Sequence, residues 1–194
     1  SEGREKDRAA LAQRRRLRRL RRDRHAHEQA SRPQLALHHA KKFSNLKTLE
    51  IGCGIGFDTA ALCRNASHVD AIDTDALSCA ICEHNLKLQG FSNISIKHCS
   101  LADWLLTNSL DAYQAIWSDP GRREADGSRI HKAENYHPPL ATIMDLSFPG
   151  IIGIKVSPAL NIWEIGDEWC HEFIGWEWNC PEQVLWKNTD QNRR

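Results

Sequence analysis

The stretch E-I-G-C-G-I-G, residues 50 to 56, sets an acid two positions ahead of three alternate glycines, Gly52, Gly54 and Gly56. Glycines spaced this way let a backbone pass close to a ligand, and a helix starting just beyond them offers free N–H groups. A dinucleotide site calls for G-x-G-x-x-G. Here Phe57 stands where the third glycine of that pattern belongs, and Gly56 comes one residue early. The shift favours a ligand without a pyrophosphate. Glu50 points the same way, because a carboxylate repels a pyrophosphate and suits an ammonium group. Farther along stand Asp73, Asp119-Pro120, the pair Arg122 and Arg123, and Lys155. Guanidinium forks can grip a phosphate or a carboxylate, or pair with Glu124 or Asp126. Lys155 is either a substrate or cofactor contact or a strand-end lysine reaching for water. His131 and His137 fall in a polar loop, where a solvated role competes with proton transfer.

These residues recur at the ends of apolar runs, and that placement defines the elements that carry them. K-T-L-E-I (47 to 51) reads as a strand entering the glycine loop, and F-D-T-A-A-L-C-R-N as the helix leaving it. H-V-D-A-I-D (68 to 73) is a second strand, ending on Asp73, and Ala76 to Leu88 a helix closed by Gly90. I-S-I-K-H (94 to 98), A-Y-Q-A-I-W (112 to 117) and G-I-I-G-I-K-V (150 to 156) are three more strands. F-I-G-W-E-W (173 to 178) and Q-V-L-W-K (183 to 187) are two closing strands around Pro181. Strands alternating with helices predict an α/β fold, a Rossmann-like, mostly parallel sheet with helices on both faces. The aperiodic stretch from Gly121 to Pro139 follows the fourth strand, on the carboxyl edge where such sheets bind ligands.

Residues 9 to 30 lack Gly and Pro and predict a helix with only a thin stripe of Leu11, Leu17 and Leu20. Residues 1 to 24 carry a balance of +7 and the rest of the chain −6, so the net charge of +1 conceals a local basic arm. The division expected is a basic helical arm at 1 to 32 and one domain at 33 to 190. The arm offers an RNA backbone contact, a localisation patch or a solvated helix. The chain opens on Ser rather than Met, as expected of a piece of a longer protein. No apolar run is long enough to span a bilayer and no signal peptide is visible, so a cytoplasmic location is expected. Seven scattered cysteines, with a lone C-x-x-C at Cys79 and Cys82, read as reduced buried thiols rather than a zinc site. No metal is expected.

E-I-G-C-G-I-G resembles the first motif of class I S-adenosylmethionine-dependent methyltransferases. The resemblance implies that the glycine loop passes under the methionine part of S-adenosylmethionine, with Glu50, Gly52, Gly54, Gly56 and Asp58 as cofactor-binding residues. It places Asp73, ahead of Asp75, on the ribose hydroxyls, where the two acceptors of a carboxylate fit a vicinal diol. At the third strand's end, where an acid ordinarily faces the adenine, the chain has Ser100 and Leu101, with Asp103 just beyond. S-D-P-G-R-R (118 to 123), I-K-V-S-P-A-L (154 to 160), N-Y-H-P-P-L (135 to 140) and the tryptophan-rich C-terminus resemble more closely the methyltransferase family that carries a THUMP-like domain after the catalytic one. That family implies a seven-stranded sheet with the last strand antiparallel, an RNA substrate and a further domain after residue 190. Asp119 and Pro120 would then align the acceptor, and Arg122, Arg123 and Lys155 contact it. In amino-methylating relatives an aromatic follows the proline and stacks on the base. Gly121 takes its place here, leaving Tyr136 or Trp117 as substitutes. Other readings are a small-molecule or protein methyltransferase, or a non-catalytic module of the same fold.

Overall fold

The computed structural model describes residues 33–121, 132–161, 163, 165–176 and 179–189. The basic arm, Arg122, Arg123 and His131 lie outside the described residues. In chain order the elements are α1 Pro33–Ala40, β1 Lys47–Ile51, α2 Phe57–Cys63, β2 His68–Asp73, α3 Ala76–Leu88, β3 Ile94–His98 and α4 Leu101–Leu105. They continue with β4 Ala115–Ser118, α5 Leu140–Met144, β5 Ile151–Val156, β6 Cys170–Trp176 and β7 Asn179–Lys187. The seven strands form one sheet in the order β3-β2-β1-β4-β5-β7-β6. Neighbours among β1 to β5 pair in parallel, and β7 runs antiparallel to both β5 and β6.

The period-two alternation of the strands sorts their side chains onto two faces. Leu49, Ile51, Ile116, Ile152, Ile154 and Val156 point to one face, where Leu101 and Trp104 of α4 and Leu140 and Ile143 of α5 cover them. Val69, Ala71, Ala115, Trp117 and Trp186 point to the other, under Ala36 of α1, Ala60 of α2, and Cys82 and Leu86 of α3. Each large apolar side chain so buried contributes roughly 1.5–3 kcal/mol. Gly153 of β5 is required there: a Cβ would come within 2.5 Å of the Trp186 ring and 2.9 Å of Trp117. The two indoles, 5.8 Å apart between centroids, occupy the space a side chain would need.

Several boundaries differ from the sequence expectation: β5 starts at Ile151 rather than Gly150, and β6 is Cys170–Trp176 rather than 173 to 178. The fourth strand is Ala115–Ser118, because Leu110–Ala112 forms a 3₁₀ turn capped by the Ser109 hydroxyl, which accepts from Asp111 N. The helix after the glycine loop stops at Cys63 rather than Asn65. Pro181 lies inside β7, not between two strands. It is accommodated because β5 pairs β7 only from Gln183 onward, so Pro181 lies where β7 has β6 alone beside it, close to a register shift at Ile174/Trp176.

Candidate functional site

At the carboxyl edge of the parallel strands a cavity of about 520 Å³ opens, a volume ordinary for a small-molecule site. Gly52, Gly54, Ile72, Asp73, Ser100 and Leu101 line one part of it, and Asp119, Gly121, His137 and Pro138 also face it. The glycine loop is shaped by positive φ at all three glycines, +85° at Gly52, +50° at Gly54 and +93° at Gly56. A Cβ on Gly52 would lie 3.0 Å from the Asp119 carbonyl oxygen, and one on Gly56 only 2.8 Å from Cys82 Sγ. A Cβ on Gly54 would meet nothing within 4 Å. Two of the glycines are therefore set by packing, while the third borders open space in the cavity.

Asp73 ends β2 and ties the loop in place. Its Oδ2 accepts from Gly54 N at 2.8 Å and its Oδ1 from Asp75 N at 2.9 Å. Each oxygen keeps a lone pair, so the carboxylate can still accept from two hydroxyls. Asp75 is committed elsewhere: it caps α3, accepting from Leu77 N and Ser78 N. The Ser78 hydroxyl beside it holds the Asp75 carboxyl below its usual range. Ser100 caps α4 by accepting from Asp103 N, and its hydroxyl donates to Asp103 Oδ2 at 2.6 Å. Ser100 and Leu101 line the cavity; Asp103 is not among the lining residues.

Five predicted contact residues are not among those lining the cavity: Gly56, Pro120, Glu50, Asp58 and Lys155. Glu50 shares the strand face of Thr48, opposite to Leu49 and Ile51, so it points under the loop and is only 1% exposed. Burial, reinforced by Cys82, holds its carboxyl well above the usual range, and the Thr59 side chain hydrogen-bonds it. Glu50 is thus enclosed by the core and does not line the cavity. Asp58 is likewise buried, accepting from Lys155 Nζ at 2.6 Å and from Trp117 Nε1 at 3.4 Å. Lys155, expected at the open edge, is 2% exposed. It lies between Asp58, Asp119 Oδ2 at 3.0 Å and Glu182 Oε1 at 3.6 Å. Burial disfavours the charged ammonium, but Asp119, Asp58 and Glu182 outweigh it and hold Lys155 above its usual range. The reason is again parity: Ile154 and Val156 take the other sheet face, so Lys155 faces the buried tryptophans.

Neither aromatic offered as a stacking substitute reaches the cavity. Trp117 is 1% exposed within the core, and Tyr136 is 0% exposed, its hydroxyl accepting from Ser157 N. Sequence reasoning left out of the site five residues that the structure brings to it, Ile51, Ile72, Thr74, Cys99 and Pro138, and left His137 without a place. Only the bridge between Gly121 and His137 recruits the latter, and no local pattern announces that pairing. Cys79 and Cys82 are buried in α3, and burial pushes the Cys79 thiol up to about 11. Among the described residues one group of possible metal ligands converges, His38, His39 and Glu172, within 4.8 Å of one another and outside the cavity. No helix among the described residues is long and apolar enough to cross a membrane.

Residues 48–122 match a family described as a methyltransferase domain. None of the curated proteins matches the sequence significantly. Among solved structures, a Porphyromonas gingivalis W83 protein assigned as a methyltransferase superposes with a TM-score of 0.68 at 20% identity, over 84% of this chain and 42% of that one. This chain thus spans about two fifths of that relative's length. A Streptococcus mutans protein, also assigned as a methyltransferase and solved with S-adenosylhomocysteine, gives 0.53 at 16% identity, over 80% of this chain and 97% of its own. A T. thermophilus 16S rRNA N2 methyltransferase, in complex with S-adenosylmethionine and guanosine, gives 0.59 at 16% identity, over 80% and 41%. The strand order and the antiparallel β7 are those of the class I S-adenosylmethionine-dependent methyltransferase fold.

Proposed function

We propose that this chain, a methyltransferase domain of the class I fold, transfers a methyl group from S-adenosylmethionine to RNA. The observation that carries the reading is that Gly54, Asp73 and Asp119 line one cavity. The space above Gly54, the two remaining acceptor lone pairs of Asp73, and the Ser100–Leu101 turn fit the methionine, ribose and adenine parts of the cofactor in that order. When bound, S-adenosylmethionine supplies an already activated methyl group, so the chain's own task is alignment and exclusion of water. Asp119 performs it by accepting a hydrogen bond from the acceptor's N–H or O–H, with its carboxylate held by Lys155. Lys155, Asp58 and Glu50 support the site from beneath, and the roles first assigned to them pass to the cavity-lining groups.

Several features support RNA as the acceptor. The arm at residues 14 to 24 is arginine-rich and suits phosphate contacts. Arg122 and Arg123 directly follow the cavity residue Gly121. The D-P-x-R-R and K-x-S-P stretches resemble the THUMP-like-domain family, whose further domain would follow residue 190. On this reading residues 1–32 are the basic arm, residues 33–190 the catalytic domain, and the protein works in the cytoplasm. The test is calorimetric titration of S-adenosylmethionine and S-adenosylhomocysteine into the chain and into Asp73→Ala. Saturable binding lost in the variant supports the cofactor site; a folded chain that binds neither compound overturns the reading. Transfer of labelled methyl to unmodified RNA, falling steeply as salt rises, separates RNA from a small-molecule or protein acceptor.

A further inference from the structure

Asp119-Pro120-Gly121 brings a hydrogen-bond acceptor to the cavity but no ring beside it, and a planar acceptor needs a flat partner to fix its plane. Gly121 and His137 supply the missing piece together. Their backbones form a two-residue antiparallel bridge, Gly121 N donating to His137 O at 2.8 Å and His137 N to Gly121 O at 3.0 Å. A Cβ built on Gly121 would stand 3.6 Å from the His137 Cβ. The two side-chain positions are therefore adjacent, and the one at 121 is vacant. His137 is exposed, whereas Tyr136 beside it is fully buried. Among the described residues that line the cavity, it carries the only aromatic ring.

The geometry points to His137 as the residue that stacks on a planar acceptor, a nucleobase of RNA, with Gly121 kept small so that the imidazole can lie beside Asp119. This rests on the methyltransferase reading of the same cavity and adds the class of group that enters it. The role is one of contact and orientation: the imidazole face holds the base while Asp119 accepts from its edge. Ring–base stacking is sequence-tolerant, because every base has a π-face. The orientation would come from Asp119 and the recognition of neighbouring nucleotides from elsewhere on the chain.

The experiment uses the full chain saturated with S-adenosylhomocysteine, so that the cofactor pocket is closed to nucleosides, and measures binding of guanosine, adenosine, cytidine and uridine by saturation-transfer NMR. The expected result is saturable binding of at least one nucleoside, weakened about tenfold or more in His137→Ala. His137→Phe should bind like the wild type, and His137→Ala/Gly121→Tyr should recover much of the loss by placing a ring from the adjacent position. Nucleoside binding unchanged in His137→Ala overturns the proposal, as does a His137→Phe variant as weak as His137→Ala. Absence of saturable nucleoside binding by the wild type also overturns it. Because cofactor-product loading is measured first, failure of the methyltransferase reading shows separately, as a chain that does not take up S-adenosylhomocysteine.

Discussion

The Lys155 ammonium lies 3.0 Å from Asp119 Oδ2 and 2.6 Å from Asp58 Oδ2, so one buried cation joins a cavity carboxylate to a carboxylate on the helix beneath the glycine loop. Glu182 of β7 completes the group at 3.6 Å. β4, β5, β7 and α2 therefore meet through charge at the point where the cavity floor is built. Burying a cation is tolerated only with such partners, because unpaired it loses its hydration without compensation.

Lys155→Met should destabilise the domain by about 3 kcal/mol or more, since it leaves buried carboxylates without their counter-charge. The midpoint of urea unfolding should fall. Lys155→Met/Asp58→Asn should regain part of the loss, and equal midpoints for the single and double variants would contradict the pairing.

The glycine loop separates folding from ligand binding. Gly56→Ala forces a Cβ to 2.8 Å from Cys82 Sγ at a φ of +93° and should lower thermal stability markedly. Gly54→Ala has open space around it and should fold with a loss of roughly 1–2 kcal/mol from its left-handed backbone. Its methyl group projects where a ligand would lie, so S-adenosylhomocysteine affinity should drop about tenfold. Differential scanning and calorimetric titration of both variants read the contrast.

Asp73 and Asp75 should be separable by substitution. Asp75→Ala removes the cap of α3 and should cost about 1 kcal/mol of stability with cofactor affinity kept. Asp73→Ala should lose the affinity. An Asp75→Ala variant that no longer binds S-adenosylhomocysteine while remaining folded would reverse the assignment.

Glu50 gives a pH signature. Burial raises its carboxyl from the ordinary 4.5, so the folded chain holds a proton that the unfolded chain has released. That contribution is fully present below the unfolded value and is lost as pH rises toward and through the raised folded value. Stability of the wild type should therefore fall with rising pH above about 4.5 relative to Glu50→Gln, which carries no titrating proton there. Urea midpoints of the two proteins across pH 5 to 8 test this; parallel curves would show that Glu50 does not titrate differently on folding.

Local pattern alone determined β1, β2, β3 and α3, whose observed limits coincide with the apolar runs and the stop at Gly90. It also located the glycine loop, Asp73 and Asp119 at the strand ends, because in a parallel sheet those ends meet at one edge whatever the details of packing, while Ser100 and Leu101 were expected through the family resemblance. The antiparallel β7 was expected only through the family resemblance. Which side chains face the cavity was decided in three dimensions. Glu50 and Lys155 sit at strand ends like Asp73, yet strand parity and the tryptophans behind them turn both into the core. His137 enters the site through a backbone bridge to Gly121, sixteen residues back in the sequence. Such a pairing depends on how the chain returns to the sheet edge, and no run of neighbouring residues encodes it.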